Sequence, residues 1–221
     1  MPEKGAEAEL ARFIDRFTME YVRTYPHPIE RVWRAIVEPD EFGVWFIKGR
    51  LDPRVGGRYW FGDDGYQGVV TAVEPPHLLH LGDDARGQLF EYELSEVAGG
   101  TRLRFIHRSP PHGPYEEAPA ELGGNLPGGP DTPWRPGFVG GYHTMFDQLS
   151  DFLDGVPIGS RLPPTDFSRF AERWATHPAG SAQAFSPERR TLVVRSLRMR
   201  ERWEELNRIY TAHIAATIPP A

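Results

Sequence analysis

The sequence predicts an α+β chain in which a curved antiparallel sheet wraps around a long helix, with a helical extension at the C-terminal end. Three observations predict it. Between residues 18 and 108 most apolar positions recur every second residue, the period of strands with one covered face. That pattern is interrupted once, over 28–46, by apolar spacings of three and four, and a long helical stripe follows at 138–153.

Leu10, Phe13, Ile14 and Phe17 recur at helical spacing, so a short leading helix is expected over 6–16, within a leading segment 1–17. Met19, Tyr21, Arg23 and Tyr25 then alternate with Thr18, Glu20, Val22 and Thr24 as a strand. Pro28 suits the first helical position, and Ile29, Val32, Trp33 and Ile36 fall on one face. Pro39 ends that helix, because the residue before a proline is biased out of the helical region. Asp40 and Glu41 favour the positive end of a second short turn that carries Phe42, Trp45 and Phe46.

Residues 48–108 read as a meander of six strands. Tyr59 and Phe61 share one phase, an Asp-Asp-Gly turn follows at 63–65, and Val69, Thr71 and Val73 share the next phase before Pro75 and Pro76. A short strand at 77–81 leads to Phe90, Tyr92 and Leu94. After the Gly99-Gly100 turn come Leu103, Phe105 and His107, with Glu91, Glu93, Arg102 and Arg104 on the opposite, wet face.

Residues 109–136 hold eight prolines and five glycines. So long a stretch without periodicity reads equally as a lid over a site and as a surface loop. Phe138, Tyr142, Met145, Phe146, Leu149, Phe152 and Leu153 form the long helix, stopped by Gly155. In the extension 156–221, Phe167, Phe170, Ala171 and Trp174 suggest one helix. Ser186-Pro187-Glu188 starts another running to about residue 216, with a heptad-like seam at Leu192, Met199, Trp203, Leu206, Tyr210, His213 and Thr217. Its favoured use is a homodimer interface beside a solvated arginine- and glutamate-rich face.

This order of elements is that of a helix-grip (START-like, Bet v-like) fold. Five segments also resemble the family of activators of heat-shock-protein ATPase (AHSA-like), within the START-like SRPBCC superfamily. They are "HPIERVWRAIVEPDEFGVWF", "VGGRYWF", "GVVTAVEPPHLL", "GGTRLRFIH" and "GGYHTMFDQLSDFLDG", in that order over about 18–155. Tyr142 stands where the family usually has Trp, the 28-residue Pro/Gly-rich insertion is long, and 156–221 lies outside the resemblance. The resemblance implies a domain over 18–155 whose two short helices plug one end of the sheet. A cavity then lies between sheet and long helix, with Trp33, Trp45 and Phe46 as wall or plug residues.

Composition narrows the function. A chain of 221 residues with 39% apolar content buries one sizeable core and leaves room for an appendage. A net charge of −6 argues against a nucleic-acid partner, which requires a concentrated basic face. Without cysteine there is no disulfide, thiolate nucleophile or Cys-based zinc site. The charged N-terminus lacks a signal-peptide core and no apolar run reaches the roughly 18 residues of a membrane span, so a cytoplasmic protein with no membrane partner is expected.

Strand phase nominates Tyr59, Phe61, Phe90, Tyr92, Phe105 and His107 as ligand-binding residues on the sheet, with Trp45 from the plug and Tyr142 and Phe146 from the long helix. No cofactor is expected. His77 and His80, three apart on a strand, point to opposite faces, so no metal site is expected either. Gly56-Gly57 is a turn lacking the Lys-Ser/Thr of a phosphate loop, and no Ser has a Gly-x-Ser-x-Gly context. The preferred reading is a protein that binds a small hydrophobic or aromatic ligand. A cyclase- or aromatase-type enzyme using His107, Tyr92 or Tyr142 for proton transfer is one alternative, and a chaperone-partner module is the other. His107 itself reads first as a structural hydrogen-bonding group.

Overall fold

The computed structural model describes residues 10–62, 66–83, 87–110, 132–159 and 187–218. Its centre is an eight-stranded antiparallel sheet in the order β1-β2-β8-β7-β6-β5-β4-β3. The strands are β1 Arg12–Asp15, β2 Thr18–Tyr25, β3 Gly49–Leu51, β4 Arg58–Phe61, β5 Tyr66–Glu74, β6 Leu78–Asp83, β7 Leu89–Val97 and β8 Gly100–Arg108. The helices are α1 Ile29–Val37, α2 Pro39–Trp45, α3 Pro136–Leu153 and α4 Pro187–Thr217. This is the helix-grip arrangement: α3 lies on the concave face, where the Tyr21 and Tyr25 hydroxyls donate to the Val139 and Phe146 carbonyls.

Two cross-strand rows line that face. One runs Met19, His107, Phe90, Leu81, Val70, and the other Tyr21, Phe105, Tyr92, Leu79, Val73. Side chains directly opposite on antiparallel strands pack against each other, so each row is a continuous apolar ridge for α3 to cover.

Several expectations change here. The leading segment is a strand over Arg12–Asp15, not a helix, because its backbone pairs with β2. Residues 1–9 lie outside the described residues, as do the Asp-Asp-Gly turn, most of the Pro/Gly-rich insertion and the helix expected around Phe167–Trp174. Val69, Thr71 and Val73 do not share the inward phase. A register shift between Val70 and Ala72 places Val70 opposite Leu81 and Val73 opposite Leu79, and a bulge of this kind lets residues of opposite parity face one core. Pro39 both ends α1 and occupies the first turn of α2, where its missing N–H is no loss.

The face expected to be wet is covered by its own charges. Glu20 and Glu91 are only 4% and 6% exposed. Arg104 bridges Glu20 and Glu93 at 2.6 and 2.8 Å, Arg12 meets Glu20 at 2.8 Å, and Arg108 meets Glu91. Ile106 lies between Arg104 and Arg108 along β8 and between Glu20 and Glu91 across it, and is fully buried. The arginine stems supply the apolar cover while their heads stay paired.

α4 turns one row of its C-terminal half into the chain's own core. Leu206, Tyr210, Ile214 and Ile218 are buried at intervals of four. Tyr210 accepts a hydrogen bond from the Ala11 amide at 3.0 Å, and Trp203 Nε1 donates to the Gly137 carbonyl. Gly140 permits the approach, since a β-carbon there would stand 3.2 Å from that of Leu206. No helix among the described residues is long and apolar enough to cross a membrane.

Candidate functional site

A cavity opens between α2, the middle of the sheet and α3. It is a narrow cleft: about 260 Å³ is empty when the open solvent at its mouth is counted, about 10 Å³ of it is free to the centre of a water, and it is lined by Phe46, Phe61, Leu81, Phe90, Tyr92 and Tyr142. The fold explains each wall. The register of β6 and β7 sets Leu81 against Phe90, and Tyr92 follows two residues on, in the same phase. β4 contributes Phe61, stacked on Phe42 of α2 at 4.7 Å. Phe46 stands at the C-terminal end of α2, and α3 lowers Tyr142 onto Phe105 at 5.2 Å between ring centres.

The nine nominated residues fall in three places: cavity wall, core, and, for His107, behind the wall. Phe61, Phe90, Tyr92 and Tyr142 line the cavity. Trp45, Phe105 and Phe146 are fully buried core, and Tyr59 is nearly so. The Trp45 indole donates to the Ala35 carbonyl at 2.9 Å, which pins α2 to α1 and makes it a plug residue. Phe105 touches Phe90, Tyr92, Tyr142 and Phe146, forming the floor beneath the cavity wall.

His107 sits behind that wall. Its ring centre is 4.5 Å from Phe90, 5.4 Å from Trp134, 5.7 Å from Phe138 and 5.6 Å from Tyr142. Its Nε2 faces the Gln88 side-chain oxygen at 3.1 Å. Burial lowers its pKa to about 3, so near neutral pH the ring is uncharged and has no imidazolium proton to give. The role in proton donation weighed for it is therefore disfavoured by its surroundings.

A second buried polar group joins α3 to α4. His143 Nδ1 meets the Tyr210 hydroxyl at 3.0 Å, with Arg202 at 3.4 Å and Asp147 at 3.8 Å from Nε2. Burial, then the charges of Arg23 and Arg202, lower the His143 pKa to about 3. Burial likewise raises the Tyr21 and Tyr210 pKa values. All four rings are neutral in the ordinary pH range.

The sequence model of the family described as activator of Hsp90 ATPase homolog 1-like protein matches residues 26–154, more than half of the chain. The chain belongs to that family. Two solved structures of CalU16 from Micromonospora echinospora are similar to this AHSA-like chain along most of its length. The crystal structure is 18% identical with a TM-score of 0.51, covering 93% of this chain and 94% of that one. The solution structure is 21% identical with a TM-score of 0.52, covering 94% and 93%. At these identities the likeness bears on the fold alone. No curated protein matches the sequence.

Within the AHSA-like frame, Leu81 and Phe46 are lining residues that the phase argument did not nominate. Leu81 was accessible to it, being two residues from Leu79 on one strand. Trp134 falls in the segment read equally as a lid and as a surface loop, and it is fully buried against Phe13, His107 and Phe138. No metal site was expected, and the register nevertheless brings ligand atoms of His80, Glu91 and Glu93 within 4.8 Å of one another. Both carboxylates already pair with arginines, so the group reads as part of the charge ladder.

Proposed function

We propose that this AHSA-like protein binds a small apolar or aromatic ligand between the sheet and α3. The observation that carries the reading is the lining of the cavity, five aromatic side chains and one leucine with no charged group among them. Ligand pockets are mostly apolar, as this lining is, but the enclosed space is only about 10 Å³, room for about one water, so a ligand enters when the wall moves. Phe46, which is only partly buried, forms its movable wall, while Tyr142 is buried on the α3 side. Of the seam through which a homodimer was expected, Leu206 and Tyr210 are buried in the chain's own core, Trp203 and His213 are half-buried, Thr217 is exposed, and the side chains of Leu192 and Met199 lie outside the described ones.

The reading predicts that N-phenyl-1-naphthylamine brightens on binding the purified protein. Leu81→Phe, which adds bulk inside the cavity, lowers that affinity by about ten-fold or more. Equal brightening by a folded Leu81→Phe protein would place the probe elsewhere and end the proposal.

A further inference from the structure

The sheet carries a second grouping on the face turned away from α3. His80 on β6 stands directly across from Glu91 on β7, and Glu93 follows two residues on. Successive side chains of a strand point to opposite faces, so these three alternate with Leu81, Phe90 and Tyr92 of the cavity and share the outer face. One ligand atom from each, a ring nitrogen and two carboxylate oxygens, lies within 4.8 Å of the other two.

The ladder of ion pairs accounts for only part of this grouping. Arg108 Nε donates to Oε1 of Glu91, and Arg104 Nη1 donates to Oε2 of Glu93 at 2.8 Å. Each arginine thus engages one oxygen of its carboxylate, and the other oxygen has lone pairs of its own. His80 takes no part in the ladder. Its Nε2 is buried and has no hydrogen-bond partner, and buried polar atoms left unpaired are rare enough to require a reason. A ring beside two carboxylates that bonds to neither has the spacing of donors around an ion. Nitrogen and oxygen ligands about 2.0–2.2 Å from one zinc lie up to about 4.3 Å from each other, which side-chain rotation reaches from here.

We infer that His80, Glu91 and Glu93 form a site for a divalent transition-metal ion of the zinc class, which ties β6 to β7 across the outer face. The donor set decides the class, because imidazole suits zinc, nickel and copper, whereas magnesium and calcium take oxygen ligands throughout. Local charge points the same way. Glu20, Glu91 and Glu93 are matched by Arg12, Arg104 and Arg108, so there is little general attraction for a cation and coordination by the ring must supply the affinity. His80 and Glu93 are half-buried, which leaves the fourth position of a tetrahedral ion to water. The site and the cavity share two strands but not a face, so neither reading depends on the other.

Zinc titration of the metal-free, untagged protein tests it, read by calorimetry and by the ring nitrogen resonances of the histidines. The expected result is saturable binding that shifts the His80 ring nitrogens, with magnesium giving no such shift at about a hundred-fold higher concentration. His80→Ala and Glu93→Gln each weaken zinc binding by about ten-fold or more, since even partners outside a ligand shell are worth that much. His77→Ala, three residues earlier and in the other phase, leaves it unchanged. No zinc binding, binding that leaves the His80 resonances in place, magnesium bound as tightly as zinc, or an affinity that survives both ligand substitutions would each overturn the inference. The resonances are read on the unaltered protein, so the result does not depend on how well the variants fold.

Discussion

Acidification from about pH 6.5 towards pH 3 is expected to remove several kcal/mol of folding stability through His107 and His143 alone. Both have folded values near 3 against an ordinary value of 6.5, His107 through burial and His143 through burial reinforced by Arg23 and Arg202. In that interval the unfolded chain takes up protons that the folded chain refuses. The stability is therefore fully present above the unfolded value and is lost as the pH falls towards the folded one. Each histidine contributes a slope of up to about 1.4 kcal/mol per pH unit, so the pair gives about 2.7 as an order of magnitude. Urea unfolding at stepped pH measures it. His143→Phe should roughly halve the slope, and a slope unchanged by that substitution would show that carboxylates govern the acid loss instead.

Phe105→Ala is expected to destabilise the protein by about 3–5 kcal/mol. Phe105 is fully buried and is one of the two rings through which β8 meets α3, contacting Tyr142 and Phe146 at 5.2 Å each and Tyr92 at 4.9 Å. Truncation removes the floor under Tyr92 and Tyr142, so the new void joins the existing cavity. An apolar ligand should then regain part of the loss by occupying it. The expected outcome is a lower Tm that naphthalene raises by more degrees than it raises the Tm of the unaltered protein. A variant whose Tm ignores naphthalene would mean that the void collapses and that Phe105 is independent of the cavity.

How far the sequence reveals this molecule depends on the kind of signal. Period-two phase in β7 and β8 is clear because every second residue is large and apolar, and the observed pairs Phe90 with His107 and Tyr92 with Phe105 follow from it. The phase of β5 is not legible, because a bulge near Thr71 leaves no trace in a run of Val, Thr and Ala. The first strand is misread because Leu10, Phe13, Ile14 and Phe17 satisfy a helical period in four residues, while pairing with β2 decides the backbone. Strand phase also separates inside from outside without separating wall from core. Phe105 and Phe90 share a face, yet only Phe90 reaches the cavity. The edge-to-face contact of His107 with Trp134 is invisible in sequence, since the two residues stand 27 positions apart and meet only in the packed fold.

The charged phase of the sheet carries a related lesson. Glu91, Glu93 and Arg104 suggest solvent by composition, and the ladder of ion pairs instead shelters Ile106 beneath the arginine stems. Charge alone does not reveal burial when long side chains are paired across strands.

The central claim is that the space between the sheet and α3 is a ligand site. Isotope-filtered NOE spectroscopy on labelled protein with unlabelled naphthalene tests it most directly. The account predicts cross-peaks from the probe to the Leu81 methyl groups and to the rings of Phe90 and Tyr142. Cross-peaks confined to exposed apolar side chains such as Val44 and Val55, 54% and 64% exposed, would contradict it.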